Sequence, residues 1–258
     1  MRRIVMVSLA DEEAALQLEG KIALVTGAGH RLGREIAQAL GRRGCHTIVH
    51  YHAAAGPAAA TVRELEALGV RAQAVQADLR DPSALAGLFE AVDRSLGGPD
   101  LLVNSAAILE PVALLEADDA AWSRTIDLNL KASFFCLQQA ARRMQARGGG
   151  AVVNVSDVAG LAPWPRYPIH SISKAGVEML TRVAARALAP AIRVNAVAPG
   201  PVLKPQGMPE ARWEQIGAGL PLGRPGAPSD IVEAVLFLFE NDFITGETLV
   251  VDGGDLLP

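Results

Sequence analysis

Cysteine is scarce: Cys45 and Cys136 are the only two in 258 residues, and neither lies in a C-x-x-C spacing. That sets aside a disulfide framework and a zinc site, and makes a reducing compartment, the cytoplasm, the expected location. No apolar stretch approaches the about twenty residues that a membrane span needs. Basic charge is not in excess either. The 24 Lys and Arg against 28 Asp and Glu leave −4, dispersed along the chain with no stripe suited to nucleic acid. Arg2 and Arg3 look like the start of a secretory signal, but the apolar run is short and acidic residues end it at once. Residues 1–20 are therefore expected to form a loose N-terminal extension. Aromatics make up 4 %, and tyrosine occurs only at positions 51 and 167. The expected partner is a small molecule.

What is present is regular. Half of the residues are hydrophobic, enough for a sizeable core. "KIALVTG", "CHTIVHY", "RAQAVQADL", "DLLVNSA", "GAVVNVSD", "IRVNAVAPG" and "ETLVVDGG" read as strands. Between them Leu32, Ile36 and Leu40 share one helical face, as do Leu85, Leu88, Phe89 and Val92 behind an Asp81-Pro82 start. A long helical pattern runs through Trp122, Ile126, Leu130, Phe134 and Leu137 to Gly148. Another starts at Pro168, where proline suits the first helical position, and extends to about Leu188. This alternation predicts a single doubly wound α/β domain of Rossmann type over residues 21–258, with a mainly parallel seven-stranded sheet. The Pro- and Gly-rich stretch of about 199–228 breaks the rhythm and reads as a loop covering the substrate.

"VTGAGHRLGREIA" sets Gly27, Gly29 and Gly33 between the first strand and the first helix, with His30, Arg31 and Leu32 completing the loop. There, backbone N–H groups and a helix N-terminus can hold a pyrophosphate. An NAD site usually has Asp or Glu at the end of the second strand, on the ribose hydroxyls. Here that strand ends "VHYHAAAG" with no carboxylate, while Arg31 and the histidines 30, 50 and 52 offer positive or hydrogen-bonding partners. The pattern favours a 2′-phosphate, hence NADP(H).

From about Lys21 to Gly254 the chain resembles the short-chain dehydrogenase/reductase family. "TGAGHRLG" is similar to the family's T-G-x-x-x-G-x-G, with Arg31 in place of the middle glycine. "ADL" resembles its adenine-contacting turn, which implies cofactor roles for Asp78 and Leu79. "VNSAA" is similar to N-N-A-G, with Ser105 for the second Asn, and implies contacts from Ser105 and Ala106. "RVNAVAPGPV" resembles the segment beside the nicotinamide and implies Pro199, Gly200 and Val202, with Lys204 where the family often has Thr. Asn129 in "IDLNLKASFF" matches the helix Asn of the family's proton relay. "GHRLG", "HYH" and Asp157, thirteen residues before the tyrosine slot, look most like the pteridine reductase branch, which reduces pterins with NADPH. Leu109 lies where that branch has an aromatic residue, so a pterin-like substrate is admitted without being favoured. The resemblance also implies a homodimer or homotetramer built through helices at about 121–147 and 168–188.

The family's Y-x-x-x-K segment reads "HSISK" here: His170 fills the tyrosine slot and Lys174 follows four residues later. The resemblance implies that Lys174 holds the nicotinamide ribose and that the slot's occupant passes a proton to the substrate. Imidazole titrates near neutrality and can act as a general acid. Tyr167, three residues earlier, and water are the other candidates. The expected catalytic set is Asn129, Asp157, His170 and Lys174, with Leu109 and Tyr167 against the substrate and no metal. The leading function is an NADP(H)-dependent reductase of a small carbonyl or imine-type substrate. The alternative is a catalytically silent nucleotide-binding or scaffold protein of the same fold.

Overall fold

Strand β1 (Ile22–Val25) is apolar at every position and buried at all four, as a strand covered on both faces must be. The computed structural model describes residues 18–257. In it β1 is joined by β2 (His46–Tyr51), β3 (Ala72–Gln76), β4 (Leu101–Asn104), β5 (Gly150–Val155), β6 (Ile192–Pro199) and β7 (Thr248–Val251). They form one seven-stranded sheet of order β3-β2-β1-β4-β5-β6-β7. Every pairing is parallel, where the sequence indicated a mainly parallel sheet.

The helices are α1 (Arg31–Arg42), α2 (Ala55–Ala67), α3 (Pro82–Leu96), α4 (Asp119–Ile126), α5 (Ala132–Ala146), α6 (Pro168–Leu188), α7 (Glu210–Ala218) and α8 (Pro228–Glu240). Because side chains alternate along a strand, the sheet divides the core in two. Ala23, Val25, Val49 and Val103 pack with Ile36 and Leu40 of α1, Leu65 of α2 and Phe239 of α8. Leu24, Ile48, Leu102 and Val152 pack with Phe89 of α3, Met144 of α5 and Leu180 of α6. Helix α3 forms as expected: Asp81 accepts the Ser83 N–H, Leu85, Leu88, Phe89 and Val92 are buried, and left-handed Gly97 ends it.

Three expectations are corrected. The extension read over residues 1–20 lies mostly outside the described residues, but Leu18 is buried and Gly20 bonds to the Gly44 carbonyl, so residues 18–20 pack onto the fold. The long helical pattern is broken by a π-helical turn, Asp127–Lys131, between α4 and α5. A π turn inserts an extra residue and rotates the helix beyond it. Trp122, ahead of the turn, and Phe134, beyond it, are both exposed, while α5 buries Cys136, Leu137, Ala140 and Met144. The stretch 199–228 is not all loop: α7 forms within it. Among the described residues, no helix is long and apolar enough to cross a membrane.

Candidate active site

Strand β1 has β2 on one side and β4 on the other, so the chain changes direction across the sheet there and a crevice opens beyond the strands' carboxyl ends. Thr26 fixes the two banks. Its Oγ1 accepts the N–H groups of Ser105 (2.9 Å) and Ala106 (3.1 Å) and donates to the Val103 carbonyl (3.3 Å). A cleft of about 1230 Å³ lies above.

One bank is the glycine loop. A Cβ on Gly33 would stand 2.5 Å from the Gly27 carbonyl oxygen, and Gly27 itself has φ +69°, a region that glycine enters freely. Helix α1 then starts from His30 with no side-chain cap and no acidic residue in its first turn, whereas Asp81 and Asp118 cap α3 and α4. The uncapped N–H groups and the positive end of the helix are what a pyrophosphate needs. Gly27, Gly29, His30, Arg31, Leu32 and Gly33 line the cleft, so a dinucleotide fits this donor set. Arg31 has φ +54° and is the one non-glycine residue with positive φ among the described residues. That conformation costs about 1 kcal/mol.

His50, read from the sequence with His30 and His52 as a cofactor partner, has another task. Its Nδ1 accepts the Gly27 N–H (3.0 Å) and its Nε2 donates to the Ala77 carbonyl (3.1 Å). Burial holds its pKa down at about 4, so the ring is neutral and its tautomer fixed. His52, Asp78 and Leu79 do line the cleft. Arg80 hydrogen-bonds both oxygens of Asp78 (2.9 and 2.7 Å), pulling that carboxyl down to about 2, and His52 Nε2 lies 3.8 Å away.

At the other end, β5 delivers Ser156 and Asp157. Asp157 Oδ1 accepts the Ala159 N–H (2.8 Å), capping the short 3₁₀ turn Val158–Gly160. Helix α6 places His170 and Lys174 one turn apart. His170 Nε2 lies 3.4 Å from Asp157 Oδ2 and Nδ1 lies 3.1 Å from the Ile108 carbonyl. Lys174 is buried, and its Nζ donates to the Val155 carbonyl (2.7 Å). Burial lowers its pKa from the usual lysine range, against the pull of Asp157 and Glu178.

Asn129 sits on the π turn behind the cleft wall rather than in the lining. Its Oδ1 accepts the Ile108 N–H (2.9 Å), and its Nδ2 lies 3.0 Å from the Ile108 carbonyl, 3.1 Å from Ser173 Oγ and 3.3 Å from His170 Nδ1. Ser105, Ala106, Lys174, Pro199, Gly200 and Val202 all line the cleft. Leu109 and Tyr167 line it as well, Tyr167 beside Trp164 at 6.0 Å between ring centroids.

Sequence reasoning missed several lining residues. Ser156 Oγ is buried with no partner. Met208, Trp213 and Asp255 also line the cleft. Trp213 belongs to α7, whose pattern the surrounding Pro and Gly concealed, and Asp255 follows the last strand in a tail with no periodicity. Among the described residues, no group of three or more His, Cys, Asp or Glu side chains could hold a metal ion.

Comparison with known proteins accords with this geometry. The family profile described as Enoyl-(Acyl carrier protein) reductase matches residues 27–255. The 3-oxoacyl-(acyl-carrier-protein) reductase FabG of Staphylococcus aureus is 38% identical over 239 residues, 91% of this chain and 97% of that one. A short-chain type dehydrogenase/reductase of Picea abies is 34% identical, covering 93% of each. The structure of L-sorbose reductase from Gluconobacter frateurii, complexed with NADPH and L-sorbose, superposes with a TM-score of 0.89 at 27% identity, over 93% of this chain and 98% of that one. Sheet order, glycine loop, buried lysine and sequence similarity agree: the chain belongs to the short-chain dehydrogenase/reductase family of nicotinamide-dependent oxidoreductases.

Proposed function

We propose that this protein is an NADP(H)-dependent reductase of a small carbonyl or imine-type substrate, a class that includes pterin-like compounds, with its proton drawn from the place of His170 and Asp157. The observation that carries this reading is the juxtaposition of buried Lys174, His170 and Asp157 at one end of a cleft whose other end is the uncapped start of α1.

In this reading the loop Gly27–Gly33 holds the pyrophosphate. His30, Arg31 and His52 take the 2′-phosphate, and Asp78 and Leu79 face the adenine. Ser105, Ala106, Lys174, Pro199, Gly200 and Val202 surround the nicotinamide riboside. The bound nicotinamide supplies hydride, and the chain supplies position, water exclusion and a proton. The NADPH in the L-sorbose reductase structure supports the cofactor choice, as does the lack of a carboxylate at the end of β2. Exposed Phe134, Phe135, Ile172, Met179 and Val183 on α5 and α6 support assembly as a homodimer or homotetramer.

One observation favours the silent-binder alternative: His170 is only 4 % exposed and both ring nitrogens already have neighbours. NADPH consumption over a panel of dihydropterins, quinones and simple carbonyls separates the two readings. Wild type that turns over, with His170→Tyr no better, is the expected result. A silent wild type revived by His170→Tyr would make the natural protein a binder.

A further inference from the structure

The proton inventory around His170 can be counted. The Ser173 hydroxyl donates to the His170 carbonyl (2.7 Å), so Ser173 Oγ meets Asn129 as an acceptor. The two N–H groups of the Asn129 amide then go to Ser173 Oγ and to the Ile108 carbonyl, its two shorter contacts. None is left for His170 Nδ1. That nitrogen lies 3.1 Å from the Ile108 carbonyl, an obligate acceptor, so Nδ1 carries a proton and donates it there. In the neutral ring Nε2 is therefore a bare lone pair, and it faces a carboxylate oxygen of Asp157 at 3.4 Å. Two acceptors do not sit face to face without a proton between them.

Exposure distinguishes the pair. The side chain of His170 is 4 % exposed and that of Asp157 is 23 % exposed. Both residues line the cleft, and the carboxyl group is the more accessible of the two.

We propose that Asp157 is the catalytic residue that touches the substrate and delivers the proton, and that His170 is a positioning residue holding that proton from behind. This rests on the reductase reading above. One mobile proton is shared by Asp157 Oδ2 and His170 Nε2. As hydride from the reduced nicotinamide reaches the electrophilic carbon, the C=O or C=N π pair moves to the heteroatom. The heteroatom bonds the proton from Oδ2, and the Oδ2–H bond breaks to leave a carboxylate. Solvent in the cleft returns the proton, because carboxylate and neutral Nε2 facing one another repel. The roles of the two slots are exchanged relative to a tyrosine enzyme, since imidazole reaches less far than a phenol and is the more enclosed of the pair.

The test has a spectroscopic arm and a kinetic arm. In protein labelled with ¹⁵N-histidine, with His170 assigned from His170→Asn, wild type should show Nδ1 protonated. Asp157→Asn should move the Nε2 resonance toward that of a neutral, unprotonated nitrogen. In steady-state assays Asp157→Asn and Asp157→Ser should each lower kcat by about a hundredfold or more with KM within about threefold, while His170→Asn lowers it by about tenfold. A neutral ring protonated only at Nε2 overturns the inference even in an active enzyme. So does an Asp157→Asn variant that keeps its kcat while His170→Asn loses it. A chain inert on every substrate, but with the expected tautomer, overturns the reductase reading and the delivery step with it, leaving only the shared proton.

Discussion

His50 stands between Gly27 and Ala77 as a neutral bridge, tying the glycine loop to the end of β3 by one accepted and one donated hydrogen bond. Unfolded, this histidine titrates near about 6.5; folded, burial lowers it to about 4. Between those values the unfolded chain binds the extra proton. Its stabilising contribution is thus complete above about pH 6.5 and is lost as pH falls through about 4, by up to roughly 3 kcal/mol. Urea midpoints at about pH 7 and about pH 5 should differ in wild type and converge in His50→Gln, which keeps an acceptor and a donor but cannot titrate.

Gly33→Ala should cripple the cofactor loop more than the fold. The new methyl meets the Gly27 carbonyl oxygen at 2.5 Å, its carbon at 2.9 Å and the Ala28 Cα at 3.2 Å, all of them backbone. The loop must open, at a cost of about 1–3 kcal/mol. Titration of NADPH fluorescence should show affinity lower by about tenfold or more, with a circular dichroism spectrum like that of wild type.

Arg31→Gly removes a guanidinium and relieves a left-handed arginine. The relief, about 1 kcal/mol, is offset by the greater entropy of unfolded glycine, so the melting temperature should barely move. NADPH binding should weaken by about tenfold or more while NADH binding stays within about twofold, a split that isothermal titration reads directly. Equal losses for both cofactors would remove Arg31 from the 2′-phosphate.

Lys174 is a buried base whose pKa lies below its usual value, with desolvation as the main cause. Between the folded value and about 10.4 the unfolded chain holds the extra proton, so stability rises with pH across that window. Lys174→Met should flatten the rise in urea midpoints on the alkaline side and abolish retention on an immobilised NADP column.

Much of this fold is legible in the sequence for a physical reason. A strand such as Ile22–Val25, covered on both faces, must be apolar throughout, and a helix such as α3 writes its buried stripe at Leu85, Leu88, Phe89 and Val92. The meeting of Asp157 and His170 is implied only by the resemblance to the pteridine reductase branch, with its Asp thirteen residues before the tyrosine slot, and the structure brings the two together. Three things are not legible. The π turn at Asn129 depends on a backbone hydrogen-bond shift that no residue type announces. The ring of His50 looks like any other histidine in "HYH" until the fold turns it inward to Gly27. Trp213 and Asp255 reach the cleft only through the path of a helix and a tail held by tertiary contacts.

The two buried thiols have a use that their inertness creates. Cys45 belongs to the core layer under α1, α2 and α8, and Cys136 to the layer under α3 and α5. Burial pushes both to about 12, so neither reacts while its layer is closed. Alkylation by a small reagent under native conditions is therefore a clock with two hands, one for each face of the sheet. Equal rates would mean that the layers come apart together; a faster Cys45 would mean that the glycine-loop side opens alone. The molecule needs no engineered label for that experiment.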